Sequence, residues 1–140
     1  MPLYLLDTNI LVHLVRRDAL GQEILANYAL LTIEPKPLIS VVTDGELRSL
    51  TYQFGWGEQR VDQALFLLDY FGRVPIDTLE QLHTYAVIDA QSRRGGIKMG
   101  KNDVWIAAAA HVTGATLLTT DKDFEHLPVD LLRQIQIAPS

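Results

Sequence analysis

The chain contains no cysteine, which excludes disulfides, thiolate metal ligands and a cysteine nucleophile. A reducing cytoplasm is the location that this composition leads us to expect. No apolar run approaches the roughly 18 residues that a membrane span requires. The apolar N-terminus is broken by Asp7 and Asn9, without a basic flank or a small-residue cleavage site. No repeat, low-complexity tract or Pro/Gly/Ser-rich linker divides the 140 residues, so one domain over residues 1–140 is expected. Bases are scarcer than acids, twelve against seventeen, for a net charge of −5. That deficit argues against a nucleic-acid partner only if every acid is a free surface charge. Four carboxylates set aside as metal ligands leave thirteen acids against twelve bases, and the position of the bases then matters more than their number.

What the chain does have is apolar material, 48% of its residues, cut into short runs that end in acids. Leu3 to Leu6 runs without a polar break into Asp7, Thr8 and Asn9, the pattern of a buried parallel strand that stops at a working edge. A helix over Asn9 to Arg17 follows, then a second over about Gly21 to Leu31. Leu38 to Val42 reads as another strand, and Thr43 opens TDGE, where Thr43 and Glu46 form a potential capping box. Asp44 is expected to be a first-turn acid favoured by the helix dipole. Two helices separated by Gly55-Trp56-Gly57 make a helical hairpin over about 43–71, the second with Val61, Leu65, Leu68 and Phe71 as its inward stripe. Trp56 is either a docking aromatic or a plug under its loop.

Arg73 to Ile76 is a short strand candidate. Thr78 caps a helix to about Arg94, with Leu79, Leu82, Tyr85, Ala86 and Ala90 on the expected inner face. Asp89 on this helix reads as a solvated acid. Asn102 or Asp103 starts DVWIAAAAHVTG, a helix whose alanines allow close packing and whose Gly114 stops it. Ala115 to Thr119 is a strand that leads into Thr120, Asp121 and then Asp123, and Gln136 to Ala138 is a possible last strand. Strands alternating with helices predict a three-layer α/β/α fold around a central, mainly parallel sheet of about four or five strands.

In open parallel sheets, sites lie beyond the carboxyl ends of the strands. Asp7, Glu46, Asp103 and Asp121 all fall at such ends or in adjoining first turns. Each has a bland explanation, as a cap or surface acid; their coincidence points to a common site. Carboxylates about 4 Å apart repel by roughly 4 kcal/mol per pair at an effective dielectric near 20, so something positive must offset them. With no cysteine, and with His13, His83, His111 and His126 scattered without ligand spacing, oxygen-only coordination favours a hard ion, Mg²⁺ or Mn²⁺. The chemistry such an ion supplies is activation and in-line orientation of water at phosphorus, together with charge neutralisation, which is phosphodiester hydrolysis.

The basic loop before Asp103 supports a polyanionic substrate, since Arg93, Arg94, Lys98 and Lys101 stand beside the acids. A solvated charge run is the alternative. Gly95 to Asn102 nearly spells a P-loop, but Asn102 stands where Ser or Thr is required and the segment follows a helix instead of a strand. No nucleotide cofactor is expected.

Taken in order, LLDTN, ISVVTDGEL, NDVWIAAAA and LLTTDKDF resemble the PIN-domain ribonucleases of the VapC toxin family, from type II toxin–antitoxin pairs, over nearly the whole chain. The resemblance implies that Asp7, Glu46, Asp103 and Asp121 are the catalytic acids, with Asp7, Asp103 and Asp121 holding Mg²⁺ or Mn²⁺ and Glu46 acting through water. It makes Thr8, Asn9 and Thr120 polar supports. It further implies RNA cleavage, a homodimer and a cognate antitoxin that blocks the site. Asp44 and Asp123 are extra acids near the motif positions. Two other classes stand beside this one. A haloacid-dehalogenase-like phosphohydrolase also begins with a strand ending in Asp, but it expects a second aspartate where this chain has Asn9. A catalytically silent RNA- or protein-binding module would retain the fold, although no expected acid has been lost.

Overall fold

The computed structural model of the protein describes residues 2–138. In chain order the elements are β1 (Tyr4–Leu6), α1 (Thr8–Arg16), α2 (Ala19–Tyr28), β2 (Leu38–Ser40), α3 (Val41–Gln53), α4 (Glu58–Tyr70), β3 (Gly72–Val74), α5 (Leu79–Arg94), α6 (Lys101–Thr113), β4 (Thr116–Thr119) and β5 (Gln134–Gln136). A 3-10 turn at Lys122–Phe124 follows β4. The five strands form one sheet in the order β3-β2-β1-β4-β5, and every pairing is parallel. From β1 the chain winds outward through β2 and β3, then returns to place β4 and β5 on the other side. The direction of winding reverses between β1 and β4, which leaves a crevice above their carboxyl ends.

Alternation along the central strands divides the core in two. Leu6 and Leu118 face a cluster with Ile10, Leu11, Ile24, Leu47 and Leu67, drawn from α1 to α4. Leu5 and Leu117 face the opposite cluster, with Ile88, Val104, Ile106 and Phe124. Both faces of the sheet are therefore covered, as the three-layer expectation requires. The four alanines Ala107 to Ala110 are wholly buried; side chains this small let α6 lie close between the sheet and α5. Gly114 ends α6 in the left-handed region, at φ 72°, which a residue without Cβ adopts freely.

Boundaries and faces differ from the sequence expectation in instructive places. Strand β2 stops at Ser40, whose hydroxyl accepts from Val42 N–H at 3.1 Å, so Ser40 caps α3 and Thr43 lies inside the helix. The capping box is absent, and Thr43 and Glu46 are free for other partners. β3 and β5 each begin earlier than read, at Gly72 and Gln134, because register with a neighbouring strand sets an edge strand more firmly than its own composition does. On α4 the buried positions are Ala64, Leu67 and Leu68, while Leu65 is exposed.

The inner face of α5 is the clearest correction. Leu79 is 84% and Leu82 47% exposed, whereas Gln81, Thr84, Ile88 and Ser92 are buried. Both sets have helical spacing, and hydrophobicity selected the wrong one. The partner surface explains the reversal, since the shallow alanine face of α6 presents backbone to α5. With its amide oriented to satisfy both ends, Gln81 donates to Ala108 O and accepts from Ala109 N, each at 3.3 Å. Ser92 bonds His126 across 2.9 Å. Polar side chains thus face inward because partners await them.

These assignments are checked by urea unfolding. Ile88→Ala is expected to cost about 2–5 kcal/mol, whereas Leu79→Gln will change stability by no more than about 0.5 kcal/mol.

Candidate functional site

The carboxyl ends of β1, β2 and β4 deliver acids into one crevice. Asp7 follows β1 directly and caps α1, its Oδ1 accepting from Thr8 N–H at 2.8 Å. Its other oxygen accepts from the Thr119 hydroxyl at 2.7 Å. Only 4% of Asp7 is exposed, so the side chain is pinned from two strands with little water around it. Burial pushes its pKa up to about 6, with the Asp121 and Glu46 charges adding to the rise while the Thr119 and Thr8 hydrogen bonds oppose it.

Glu46 reaches the same crevice from the second turn of α3. The Thr8 hydroxyl donates to its Oε1 at 2.6 Å and lies 3.1 Å from the Thr43 hydroxyl. With one proton per hydroxyl, the bonds run from Thr43 to Thr8 to Glu46. Asn102 donates to Glu46 Oε2 at 3.1 Å, joining the start of α6 to α3. Thr43, read as a cap, is instead part of the frame that aims Glu46.

Asp103 stands in the first turn of α6. Its pKa is pushed up to about 7, first by burial and then by the charges of Asp7, Asp121, Asp123 and Glu46. Asp121 begins the 3-10 turn and accepts from Asp123 N–H at 2.9 Å, while its own N–H donates to the Thr119 hydroxyl at 2.9 Å. Thr119 therefore fixes both Asp7 and Asp121. One carboxylate oxygen from each of Asp103, Asp121 and Asp123 lies within 4.8 Å of the other two. Three hard oxygen donors this close, crowded enough to raise a carboxyl pKa, fit a divalent cation of the Mg²⁺ or Mn²⁺ kind.

The residues singled out in the sequence separate clearly in space. Asp7, Glu46, Asp103 and Asp121 share the crevice, joined by Asp123. Asp44, only 7% exposed, points away and binds Arg48 Nε at 2.5 Å and Arg73 Nη2 at 3.0 Å. Asn9 is exposed, and the hydroxyl that holds Asp7 belongs to Thr119, one residue before the half-buried Thr120. Period-two alternation in β4 was the available signal, since Thr119 shares a face with Leu117. Among the bases, Arg93 is engaged by Asp89 at 3.0 Å, Arg94 and Lys98 are exposed, and Lys101 lines the depression that contains Glu46 and Asp103. The histidines play local parts: His13 meets Asp18 at 2.7 Å, and His111 the carbonyl of Leu131 at 2.9 Å.

A profile of the PIN domain matches residues 4–130. The chain belongs to the PIN-domain family. This PIN domain also superposes on solved structures of similar size. It is similar to a chain of VapBC2 from Rickettsia felis bound to a promoter DNA fragment, with a TM-score of 0.78 and 22% identity over 96% of this chain and 98% of that one. FitAcB from Neisseria gonorrhoeae gives a TM-score of 0.74 and 22% identity, covering 95% and 96% of the two chains. VapBC-5, a toxin–antitoxin system of Mycobacterium tuberculosis, gives 0.72 and 23%, covering 98% and 100%. At these identities the likeness is one of fold. No curated protein sequence matches the chain. No helix among the described residues is long and apolar enough to cross a membrane.

Two measurements test the site in this PIN domain. Asp44→Ala is expected to lower unfolding stability by about 1–3 kcal/mol, because it strips two arginines of a buried acceptor, while leaving metal binding in calorimetry unchanged. The raised pKa values of Asp7 and Asp103 set a pH dependence. In metal-free protein the native state keeps protons that the unfolded chain has already released. The contribution of these two groups is therefore most favourable below the ordinary Asp range, about pH 4, and is lost as pH rises through about 6 and about 7. Thermal melts in chelator across that window will show the decline. Asp103→Asn will flatten it and raise the melting temperature at neutral pH; a lower melting temperature would make Asp103 a structural cap.

Proposed function

We propose that this PIN domain is a metal-dependent ribonuclease that hydrolyses RNA phosphodiester bonds, and that it serves as a VapC-type toxin neutralised by a cognate antitoxin. The close approach of Asp103, Asp121 and Asp123 above the sheet is the observation that carries the reading. Asp7, Asp103 and Asp121 are the groups we assign to Mg²⁺ or Mn²⁺, with Asp123 as a further ligand at the exposed rim. The chemistry that a bound cation supplies is a lowered pKa for water and neutralisation of charge on the phosphoryl oxygens.

The remaining steps belong to side chains. Glu46, held by Thr8 and Asn102, orients the attacking water and takes up its proton. Thr119 keeps Asp7 and Asp121 in mutual register. Arg93, Arg94, Lys98 and Lys101 attract the phosphate backbone, with Lys101 beside the acids and Arg93 tempered by its bond to Asp89. The protein works in this reading as a cytoplasmic homodimer. The VapBC structures that share its fold, among them a VapBC-5 toxin–antitoxin system, support an antitoxin partner.

A silent binding module is the second reading; loss of an acid would favour it, and Asp7, Glu46, Asp103 and Asp121 are all present. Purified, antitoxin-free protein incubated with structured RNAs separates the two. Discrete cleavage is expected in Mg²⁺ or Mn²⁺, abolished by EDTA and reduced about a hundredfold or more by Asp7→Asn. Intact RNA alongside calorimetric metal binding would make the site real and the substrate a different one; no metal binding at all would move the assignment to the silent module.

A further inference from the structure

Three depressions meet at the acidic crevice. One, of about 530 Å³, runs beside α3 and is lined by Val41, Val42, Ser49, Leu50 and Gln53, together with Glu46 and Asn102. A second, about 480 Å³, shares Glu46 and Asn102 with the first and adds Gly100, Lys101 and Asp103. The third, about 360 Å³, shares Gly100 with the second and extends between the 97–100 loop and the 3-10 turn to Lys98, Lys122 and His126. Shared lining residues make the three continuous, with the acids at the centre.

The two arms differ in chemistry. On the far side of the acids, Lys98 and Lys122 line one space from opposite walls, beside Asp123 and Glu125 and above the buried side chain of Met99. Those walls are tied together at their base by Ser92. Its carbonyl accepts from Ile97 N–H at 2.9 Å in one wall, and its hydroxyl meets His126 Nε2 at 2.9 Å in the other. Ser92 is 1% exposed, so the tie between the two walls is buried, while Lys98 and Lys122 are exposed. The arm beside α3 contains no cation. It offers an apolar floor of Val41, Val42 and Leu50 and a polar rim where Gln53 Nε2 donates to Ser49 Oγ at 2.8 Å. An apolar floor with donors and acceptors at its edge suits the face and edge of a nucleobase, whereas paired lysines suit phosphate.

We propose that the three depressions form one trough for the RNA strand, in which Lys98 and Lys122 grip phosphates on one side of the acids while Ser49 and Gln53 select a base on the other. The proposal rests on the ribonuclease reading and divides its substrate contacts into a part that sets affinity and a part that sets sequence preference.

The test uses the full chain with a randomised RNA pool in Mn²⁺, mapping cut sites, and measures the salt dependence of binding in an Asp7→Asn background. Removing both lysines (Lys98→Ala with Lys122→Ala) is expected to flatten the plot of log affinity against log salt by about 1.4, at about 0.7 per single-strand phosphate contact, and to leave the cut-site preference as it was. Lys98→Arg with Lys122→Arg will keep the parental slope. Ser49→Ala with Gln53→Ala is expected to relax preference at one nucleotide position roughly tenfold with the slope unchanged. All four side chains are exposed, and thermal melts matching the parent will confirm that the variants fold. Active variants with the parental slope and cut pattern would overturn the trough while leaving the ribonuclease intact. If the α3 pair altered only inhibition by a partner protein, that arm would belong to the partner and the proposal would fail. Absence of RNA cleavage by the parent together with absence of metal binding in calorimetry would remove both readings together.

Discussion

Repulsion among carboxylates at one edge of a parallel sheet is the constraint around which this protein is built. Asp7 has little contact with water and stands near Asp121 and Glu46, and Asp103 faces four other acids. Such a group of charges is unfavourable by itself, by roughly 4 kcal/mol for each pair at about 4 Å and an effective dielectric near 20. It persists because the rest of the fold holds it there. β1 and β4 lie in register from Tyr4 opposite Thr116 to Leu6 opposite Leu118, and the leucines of both strands are buried in the two cores. The hydrophobic layers thus keep in place a polar edge that would otherwise relax.

The frame around the acids is almost entirely threonine and backbone. Thr119 serves Asp7 and Asp121 at once, Thr8 serves Glu46, and the Thr8 N–H steadies Asp7. Short β-branched hydroxyls suit this work, because they lose little rotamer freedom and bring a donor close to the strand that carries them. None of these bonds neutralises a charge. They fix geometry and leave the mutual repulsion of the carboxylates in place. Asp44 shows the alternative within the same helix turn, since its two arginines satisfy it and remove it from the crevice.

Reading the sequence worked where one residue's role follows from where its own strand or helix ends. The order of elements, the parallel sheet, the acids at strand ends and the alanine-lined helix were all legible, because burial on both faces leaves unbroken apolar runs and acids interrupt them abruptly. It failed where two faces compete. The α5 stripe of Leu79 and Leu82 is as periodic as the stripe of Gln81, Thr84, Ile88 and Ser92 that is buried, and only the backbone of α6 and the ring of His126 decide between them. Likewise TDGE satisfies a capping pattern that Ser40 pre-empts by starting the helix three residues earlier.

The sequence by itself determined the class of fold and the acids that stand as candidates, since both depend on local patterns of apolar runs and on the residue that ends each run. Tertiary structure alone decided which acids meet and what holds them: that Asp123 joins the cluster while Asp44 turns to arginine, that Thr119 and not its neighbour reaches Asp7, and that Thr43 supports Glu46 through Thr8. These outcomes rest on contacts between residues up to 112 positions apart. Strand order and register place such residues together, and no short stretch of sequence contains that information.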